Sequence, residues 1–266
     1  MRICVPIKQV PETGAVRMDE ATGTMIREGV EAIVNPLDLY AIELAIRLRD
    51  SSGGGEVIAI SMGPPKADKA LREAIAMGCD RGVLISDAAF AGSDTWATAH
   101  VLASAIEKLA PVDLIICGER ATDGDTGQVG PGIASFRDLP VVTYVSKVRQ
   151  ADGKSIVVER LVEDGHEVLE MRLPGLITVV KEIGDPRLPT LRGKQKARRA
   201  DVPKWGPAEL GVDRAKLGLN GSPTRVVKIF RPSVARQCEK LIASDETSAA
   251  AAVARVVEVL KEKQLI

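Results

Sequence analysis

The sequence predicts an α/β fold: a doubly wound, mainly parallel sheet with an antiparallel extension and a C-terminal arm. Three observations lead to this prediction. Short β-branched runs alternate with Ala- and Leu-rich helical segments through the first half of the chain, which is typical of a parallel sheet. The second half changes to strand-like runs separated by Asp-Gly dipeptides, which favours antiparallel hairpins. The chain ends in a segment that reads as one amphipathic helix.

The elements of the first half follow in order. Strands are expected at about 2–8, 56–62, 81–86 and 112–117, with helices between them at about 36–50, 65–77 and 94–109. Asn35 before Pro36 suits the start of the first helix, because Asn caps free N–H groups and Pro fits the first helical position. Asp94 suits the start of the third helix for the same reason. The run SSGGGE at 51–56 precedes a strand, so we interpret it as the turn that ends the first helix.

The second half is expected to extend and finish the fold. Asp152-Gly153 and Asp164-Gly165 are hairpin signals. The run GLNGSPTRVVKIFRP reads as extended chain, and the final helix is expected at about 245–263. These features divide the chain into an α/β domain at 1–185 and a segment at 186–266 that packs on its own domain or on a partner.

The composition is that of an ordinary soluble protein. Hydrophobic residues make up 45% and charged residues 27% of the 266 residues. Lys plus Arg number 36 and Asp plus Glu number 36, so the charge balance gives no support for nucleic acid or an anionic membrane as a partner. No apolar run approaches the roughly 20 residues of a membrane span. The first strand follows Met1 directly, which leaves no room for an export signal, and we expect a cytoplasmic protein.

Cysteine and histidine usage argues against a metal centre. The four cysteines are far apart and form no Cys-x-x-Cys pair, and there are only two histidines. Three of the cysteines, Cys4, Cys79 and Cys117, lie in or beside apolar runs, so we expect buried thiols. Cys117 stands just before the candidate site described next, and we assign it to the core.

A glycine-rich loop is the most informative feature. The stretch LIICGERATDGDTGQVGPG at 114–132 runs from a strand through a loop into a helix, a layout that offers backbone N–H groups to a phosphate. Asp125 or Thr126 could cap that helix, with Gln128 completing a capping box if Asp125 is the cap. The loop predicts a nucleotide or dinucleotide site. The alternative is a glycine-rich connection that binds nothing.

Other strand ends converge on the same loop. In a doubly wound sheet, ligands bind beyond the carboxyl ends of the strands, where the first and fourth strands become neighbours. Pro6 should end full pairing of the first strand there, because proline donates no ladder hydrogen bond. Asn35, Asp38 and Met62 lie at the same edge. We therefore expect one crevice that holds a nucleotide.

Several enzyme classes have no candidate residues. The chain contains no Gly-x-x-x-x-Gly-Lys-Ser/Thr loop, no Gly-x-Ser-x-Gly elbow and no supported Cys/His pair. We therefore assign no catalytic residue and no metal ligand, and expect a bound cofactor to perform any chemistry.

A basic stretch at 186–204 stands out from the neutral chain. It carries seven Lys or Arg residues against Asp201 alone, with three prolines and little apolar periodicity. Such a run is by default a solvated loop, but its charge contrast favours a docking loop.

Motifs along the whole chain are similar to one family. Four motifs occur in the family's order: KQVPET, NPLDLYAIELAIRL, ISMGPPKADKALREAIAMGCDRG and the glycine-rich loop. The stretch from Val158 to Thr178 looks like the family's signature. The chain resembles the beta (small) subunit of electron-transfer flavoproteins over essentially its full length. The resemblance implies a Rossmann-like fold and a heterodimer with an alpha subunit that carries one FAD.

The resemblance also implies a nucleotide in the beta subunit. In the electron-bifurcating branch this is a second FAD, reduced by NADH, that sends one electron to ferredoxin or flavodoxin and one through the alpha FAD to a dehydrogenase or quinone acceptor. In the housekeeping branch it is a structural AMP, and electrons pass from acyl-CoA dehydrogenases to a quinone reductase. A third reading, from another class, is a stand-alone nucleotide-binding regulatory protein.

The family's nucleotide contacts carry over onto two sets of positions. The strand-end set comprises Pro6, Asn35, Pro36, Leu37, Asp38 and Met62. The loop set comprises Ala121, Thr122, Asp123, Gly124, Asp125, Thr126, Gly127, Gln128, Val129, Gly130, Pro131 and Gly132.

The amino-acid sequence of the loop favours the bifurcating branch. Gly-Asp-Thr-Gly-Gln-Val-Gly-Pro at 124–131 looks like the bifurcating form, and glycines at 124, 127 and 130 allow the close approach that a diphosphate needs. The tail GLNGSPTRVVKIF also looks like bifurcating members. Glu119-Arg120 departs from the more usual Gly-Lys/Arg-Gln, although Arg120 keeps the positive charge of the loop.

In this family a loop at the position of the basic stretch docks the partner dehydrogenase. The docking residues expected here are Leu188, Leu191, Arg192, Lys194, Lys196, Arg198 and Arg199. The leucines would anchor and the charges would steer. The same span could instead hold the alpha subunit.

Overall fold

Parallel pairing of consecutive strands builds the centre of the molecule. A computed structural model describes residues 1–12, 17–18, 25–26, 32–227 and 238–266. The strands are β1 (Arg2–Pro6), β2 (Gln9–Pro11), β3 (Arg17–Met18), β4 (Met25–Ile26), β5 (Ala32–Val34), β6 (Glu56–Met62), β7 (Arg81–Ile85), β8 (Leu114–Gly118), β9 (Val141–Ala151), β10 (Ser155–Val162), β11 (Gly165–Arg172), β12 (Gly175–Val179) and β13 (Lys204–Trp205). Nine of them form one sheet in the order β11-β10-β9-β12-β8-β1-β6-β7-β13, while β2 pairs with β5 and β3 with β4.

Helices connect the parallel strands. They are α1 (Pro36–Ser51), α2 (Asp68–Met77), α3 (Thr95–Leu109), α4 (Val129–Phe136), α5 (Leu191–Arg199), α6 (Pro207–Leu210), α7 (Gly218–Gly221) and α8 (Glu246–Glu262). A 3-10 turn, Pro65–Ala67, leads into α2. None of the described helices combines the length and the apolar character that crossing a membrane requires.

Both faces of the parallel sheet are buried. Along β1, Ile3 and Val5 pack into a cluster that includes residues of α1 and α2, whereas Cys4 packs into a cluster that includes residues of α3 and α4. This alternation places helices on both sides of the strands, as parallel sheets require. The predicted doubly wound α/β fold is confirmed.

The antiparallel extension is also confirmed. β9 pairs with β10 and β10 with β11, both antiparallel, and the connections contain the two predicted Asp-Gly turns. Asp152 Oδ1 accepts the N–H groups of Lys154 and Ser155, both at 2.8 Å, which closes the first turn. The local turn chemistry was sufficient to predict this part of the sheet.

The segment at 186–204, expected to be a loop, instead contains the helix α5. Thr190 accepts the N–H of Gly193 at the helix start. At the helix end, Arg72 Nη1 donates to Ala197 O at 2.6 Å and to Ala200 O at 3.2 Å. Buried Ala197 packs with Ile75 and Ala76 of α2. Contacts distant in sequence thus stabilise a helix whose own pattern is almost entirely polar.

The structure of the late part of the chain differs from the prediction in one further place. Gly218–Gly221 form the short helix α7 where the sequence predicts extended chain, and residues 228–232 of that run lie outside the described residues. The chain divides into two compact units, Met1–Val227 and Lys228–Ile266. Within the second unit the predicted final helix is confirmed as α8, which Asp245 caps by accepting the N–H of Ser248 at 2.8 Å.

Candidate nucleotide-binding site

The predicted switch point is present where β1 and β8 lie side by side. The two strands pair in parallel, with Ile3 opposite Leu114 and Cys4 opposite Ile115. Pro6 is buried and ends β1, after which only the N–H of Ile7 continues the ladder, to Ile60 O at 2.8 Å. The carboxyl ends of both strands therefore open onto the start of α1 and onto the glycine-rich loop.

Asn35 connects the start of α1 to the loop. Its predicted position as the N-cap residue before Pro36 is confirmed, but its side chain makes no capping hydrogen bond. Instead, Nδ2 donates to Arg120 O at 2.9 Å and Oδ1 accepts the N–H of Thr122 at 3.1 Å. Because Asn35 is fully buried, these bonds fix the first residues of the loop in one position.

Asp38 joins the ends of the two strands. Its Oδ2 accepts the N–H of Lys8 at 2.7 Å, and its Oδ1 lies 2.5 Å from the point where a Cβ at Gly118 would stand. Glycine at 118 is therefore required by the close approach of α1 to β8. Burial raises the pKa of Asp38 to about 7, against the opposing effect of hydrogen bonds from Lys8, Asn35 and Gly118.

The backbone of the loop reverses before α4 begins. The N–H groups of Gly124 and Asp125 both donate to Ala121 O, at 3.3 and 2.8 Å. Asp125 and Gly127 then adopt left-handed backbone conformations, with φ of 54° and 63°. A right-handed helix cannot start through these residues, so α4 starts at Val129.

The predicted capping scheme is consequently wrong. Gln128, not Asp125 or Thr126, precedes α4, and its side chain makes no capping bond. Gln128 Oε1 instead accepts from Thr95 Oγ1 of α3 at 2.9 Å. The N–H groups of residues 126–130 have no hydrogen-bond acceptor among the described residues. Five neighbouring free donors at a helix start suit a phosphate group.

The space around the loop also suits a ligand. Thr122 to Thr126 are exposed. A Cβ added at Gly124 would meet nothing within 4 Å, and one at Gly127 would meet only Glu119 O at 3.4 Å and Tyr144 Oη at 3.9 Å. The donor set and the open backbone therefore fit a nucleotide phosphate.

Two of the loop glycines have a different explanation. A Cβ at Gly130 would lie 2.8 Å from Thr178 Cγ2 of β12, and one at Gly132 would lie 2.8 Å from Ala99 Cβ of α3. Both glycines let α4 approach its neighbours closely. Ligand approach therefore concerns Gly124 and Gly127, while Gly130 and Gly132 serve packing.

Two exposed ion pairs flank the free donors. Lys8 Nζ lies 2.7 Å from Asp123 Oδ1, and Arg120 Nε lies 2.9 Å from Asp125 Oδ1. Such exposed pairs contribute little stability, so both cations are available to an anionic ligand. Lys8 did not emerge as a site residue from the sequence, although it belongs to the KQVPET motif.

The remaining predicted nucleotide contacts lie around this centre. Pro36 is exposed and Leu37 half-buried in the first turn of α1, and Met62 is half-buried at the end of β6. Ala121 is half-buried at the loop start, and Pro131 is half-buried in the first turn of α4. Tyr144 of β9, whose hydroxyl lies 3.9 Å from the point where a Cβ at Gly127 would stand, carries no marker in the sequence.

The predicted docking residues lie on and beside α5, a different element. Leu188 and Leu191 are 85% and 82% exposed, and Arg192, Lys194, Arg198 and Arg199 are exposed as well. Lys196 already has a hydrogen-bond partner within the chain, because its Nζ donates to Cys79 O at 3.1 Å.

The cysteines contribute to packing. Cys4, Cys79 and Cys117 are buried free thiols, and burial raises the pKa of each, to about 12 for Cys79. The assignment of Cys117 to the core is confirmed by its place in a hydrophobic cluster. No group of three His, Cys, Asp or Glu side chains within the described ranges is placed to hold a metal ion.

Comparison with known proteins identifies the family. Residues 22–210 match the model of the electron transfer flavoprotein domain. The chain is 46% identical, over 100% of both chains, to the caffeyl-CoA reductase-Etf complex subunit CarD of Acetobacterium woodii. It is 50% identical to the electron transfer flavoprotein subunit beta of Thermoanaerobacterium thermosaccharolyticum, over 90% of this chain and 91% of the relative. It is 44% identical to protein FixA of Azorhizobium caulinodans, over 99% of this chain and 95% of the relative. The chain therefore belongs to the electron transfer flavoprotein family and is of the beta-subunit type.

Proposed function

We propose that the chain binds FAD at the glycine-rich loop and acts as the beta subunit of an electron-bifurcating electron-transfer flavoprotein. The observation that carries the proposal is the row of free N–H groups at 126–130 beside the open backbone of Gly124 and Gly127. A diphosphate presents more acceptor oxygens than a monophosphate, and a row of donors matches them better than a single helix start would.

The residues around the loop have separate tasks in this proposal. The backbone donors hold the phosphates. Asn35 and Asp38 position the loop and the strand ends, since their side chains bond to protein groups. Lys8 and Arg120 supply positive charge after exchanging their carboxylate partners for phosphate. The chemistry that a bound FAD supplies is acceptance of electrons from NADH and their onward transfer one at a time.

The electron route involves partners outside this chain. One electron goes to ferredoxin or flavodoxin, and the other goes through an FAD in the alpha subunit to a dehydrogenase or quinone acceptor. The full-length similarity to a subunit named for a caffeyl-CoA reductase complex supports a reductase or dehydrogenase of acyl-CoA type as that acceptor. The buried free thiols suit a reducing cytoplasm.

We further propose that α5 and the residues before it form the docking surface for the dehydrogenase. Highly exposed Leu188 precedes α5, and highly exposed Leu191 lies on it together with exposed arginines. Both ends of this helix are bonded to side chains, Thr190 at the start and Arg72 at the end. Such a surface combines apolar anchors with charges that steer an approaching partner. The alternative is that the same surface holds the alpha subunit.

Nucleotide analysis of the purified heterodimer tests the main proposal. About two FAD per heterodimer, with both flavins reduced by NADH, is the expected result. One FAD and one AMP per heterodimer would contradict it and would identify the housekeeping carrier. A stable homodimer that forms no flavoprotein complex would instead favour a stand-alone regulatory protein.

A further inference from the structure

Tyr144 of β9 lies against the glycine-rich loop from the antiparallel side of the sheet. Its hydroxyl oxygen stands 3.9 Å from the position that a Cβ would take at Gly127. The side chain is 42% exposed, and among the described residues no hydrogen bond to its hydroxyl is found. A phenol without a hydrogen-bond partner among the described residues therefore lies on the side of the loop to which a side chain at Gly127 would point.

The backbone holds Tyr144 in an uncommon conformation. Its φ is 58°, in the left-handed region that disfavours bulky side chains. The pairing of β9 with β12 shows the reason: Val142 is opposite Ile177 and Val145 is opposite Val179, so two residues of β9 face Thr178 alone. Such a bulge redirects a side chain out of the regular alternation and occurs often beside functional sites.

Thr178 couples this bulge to α4. Its Oγ1 accepts the N–H of Tyr144 at 3.1 Å, and its Cγ2 packs where a Cβ at Gly130 would stand. Thr178 is only 2% exposed. The position of the Tyr144 backbone is therefore fixed relative to the first turn of α4, which contains two of the free N–H donors, those of Val129 and Gly130.

We propose that Tyr144 is a ligand-binding residue whose hydroxyl donates a hydrogen bond to a phosphate oxygen of the nucleotide. The loop supplies backbone donors from one side, and the phenol supplies a side-chain donor from the other. This inference rests on the proposed function, because it requires a nucleotide at the loop. It explains why a bulky residue occupies a left-handed position at this bulge.

Equilibrium dialysis of the heterodimer against a series of FAD concentrations tests the proposal. The midpoint for uptake of the second FAD equivalent is compared among the wild type, Tyr144→Phe, Tyr144→Asn and Ser146→Ala. Tyr144→Phe removes only the hydroxyl, and Tyr144→Asn removes the ring with a residue that tolerates left-handed backbone. Ser146→Ala is the control, because Ser146 Oγ on the same strand donates to Glu159 O within the sheet.

We expect the midpoint to rise roughly tenfold in Tyr144→Phe and at least as much in Tyr144→Asn. Ser146→Ala should stay within about twofold of the wild type, and the melting temperature of Tyr144→Asn should not fall, which excludes misfolding. A wild-type midpoint in Tyr144→Phe would overturn the inference while the proposed function stands. A wild-type heterodimer that takes up no second FAD would contradict the proposed function and this inference together.

Discussion

The glycine-rich loop and the basic segment are opposite solutions to presenting a binding surface. In the loop, left-handed residues 125 and 127 interrupt regular structure and leave the N–H groups of 126–130 free of described acceptors. In the basic segment, α5 has its ends bonded to Thr190 and Arg72, so that side chains are what it offers.

This difference follows from what each surface would bind. A phosphate is small and accepts hydrogen bonds, so irregular backbone held from behind by Asn35 serves it well. A protein partner needs a stable array of side chains, which a short helix fixed on α2 provides through Leu191, Arg198 and Arg199. Substitutions that restrict the backbone should therefore weaken nucleotide binding at the loop. Substitutions that change side-chain charge should weaken partner docking at α5.

Gly127→Val should produce the largest effect. Valine disfavours the left-handed φ of 63° and adds a branched side chain where the phosphate must approach. We expect complete loss of the beta-site nucleotide, measured by FAD and AMP content, with the alpha FAD retained. Gly153→Val is the control, because Gly153 also has positive φ, 82°, but lies in the β9–β10 turn. Full nucleotide content in Gly127→Val would refute the placement of the site.

Asn35→Ala should have the next largest effect on nucleotide binding. It leaves Arg120 O and the N–H of Thr122 without their buried partner, which costs about 1–3 kcal/mol and releases the loop. Beta-site affinity for the nucleotide should fall roughly tenfold in equilibrium dialysis. Asn220→Ala, at an exposed position of α7, should leave the affinity unchanged. Equal affinities in both variants would show that the loop does not depend on Asn35.

Asp38→Asn tests the buried carboxylate behind the loop. Because its folded-state pKa is raised from 3.8 to about 7, the favoured protonated form is lost as pH rises. The wild type should therefore lose stability between about pH 4 and pH 7, by up to about 4 kcal/mol. The melting temperature of the asparagine variant should change less with pH across this window.

The control for that change is Asp113→Asn, at the opposite end of β1, where the carboxylate accepts the N–H of Arg2 at 2.7 Å. A change of slope that is found in Asp38→Asn alone assigns the pH dependence to the carboxyl behind the loop. Parallel slopes in the wild type and Asp38→Asn would contradict the pKa assigned to Asp38.

Reversal of charge at α5 should have the smallest effect. Arg198→Glu with Arg199→Glu should slow electron delivery to the dehydrogenase several-fold at low salt, and the difference should fade at high salt. NADH reduction of the flavin should be unchanged, since the loop is untouched. The double variant Lys147→Glu with Lys154→Glu, on the antiparallel extension, should transfer electrons at the wild-type rate. An unchanged rate for the α5 variant at low salt would remove the docking proposal.

The sequence predicted the fold because the relevant signals are local. Alternating strands and helices, the Asp-Gly turns and Pro6 each act within a few residues of their own position. They were enough to place the switch point and the loop at the correct edge of the sheet.

The sequence failed where distant residues decide the local structure. Asn35 looks like a cap, but its side chain bonds to Arg120 and Thr122, which are far along the chain. Likewise α5 depends on Arg72. The bulge at Tyr144 depends on the register between β9 and β12, and nothing in PVVTYVSKV marks it.

An electron-density map of the heterodimer would show whether the glycine-rich loop holds the diphosphate of an FAD. We expect FAD in the beta subunit with its diphosphate oxygens within about 3.2 Å of the N–H groups of residues 126–130. A nucleotide bound elsewhere on this chain, with those N–H groups facing only water, would contradict it.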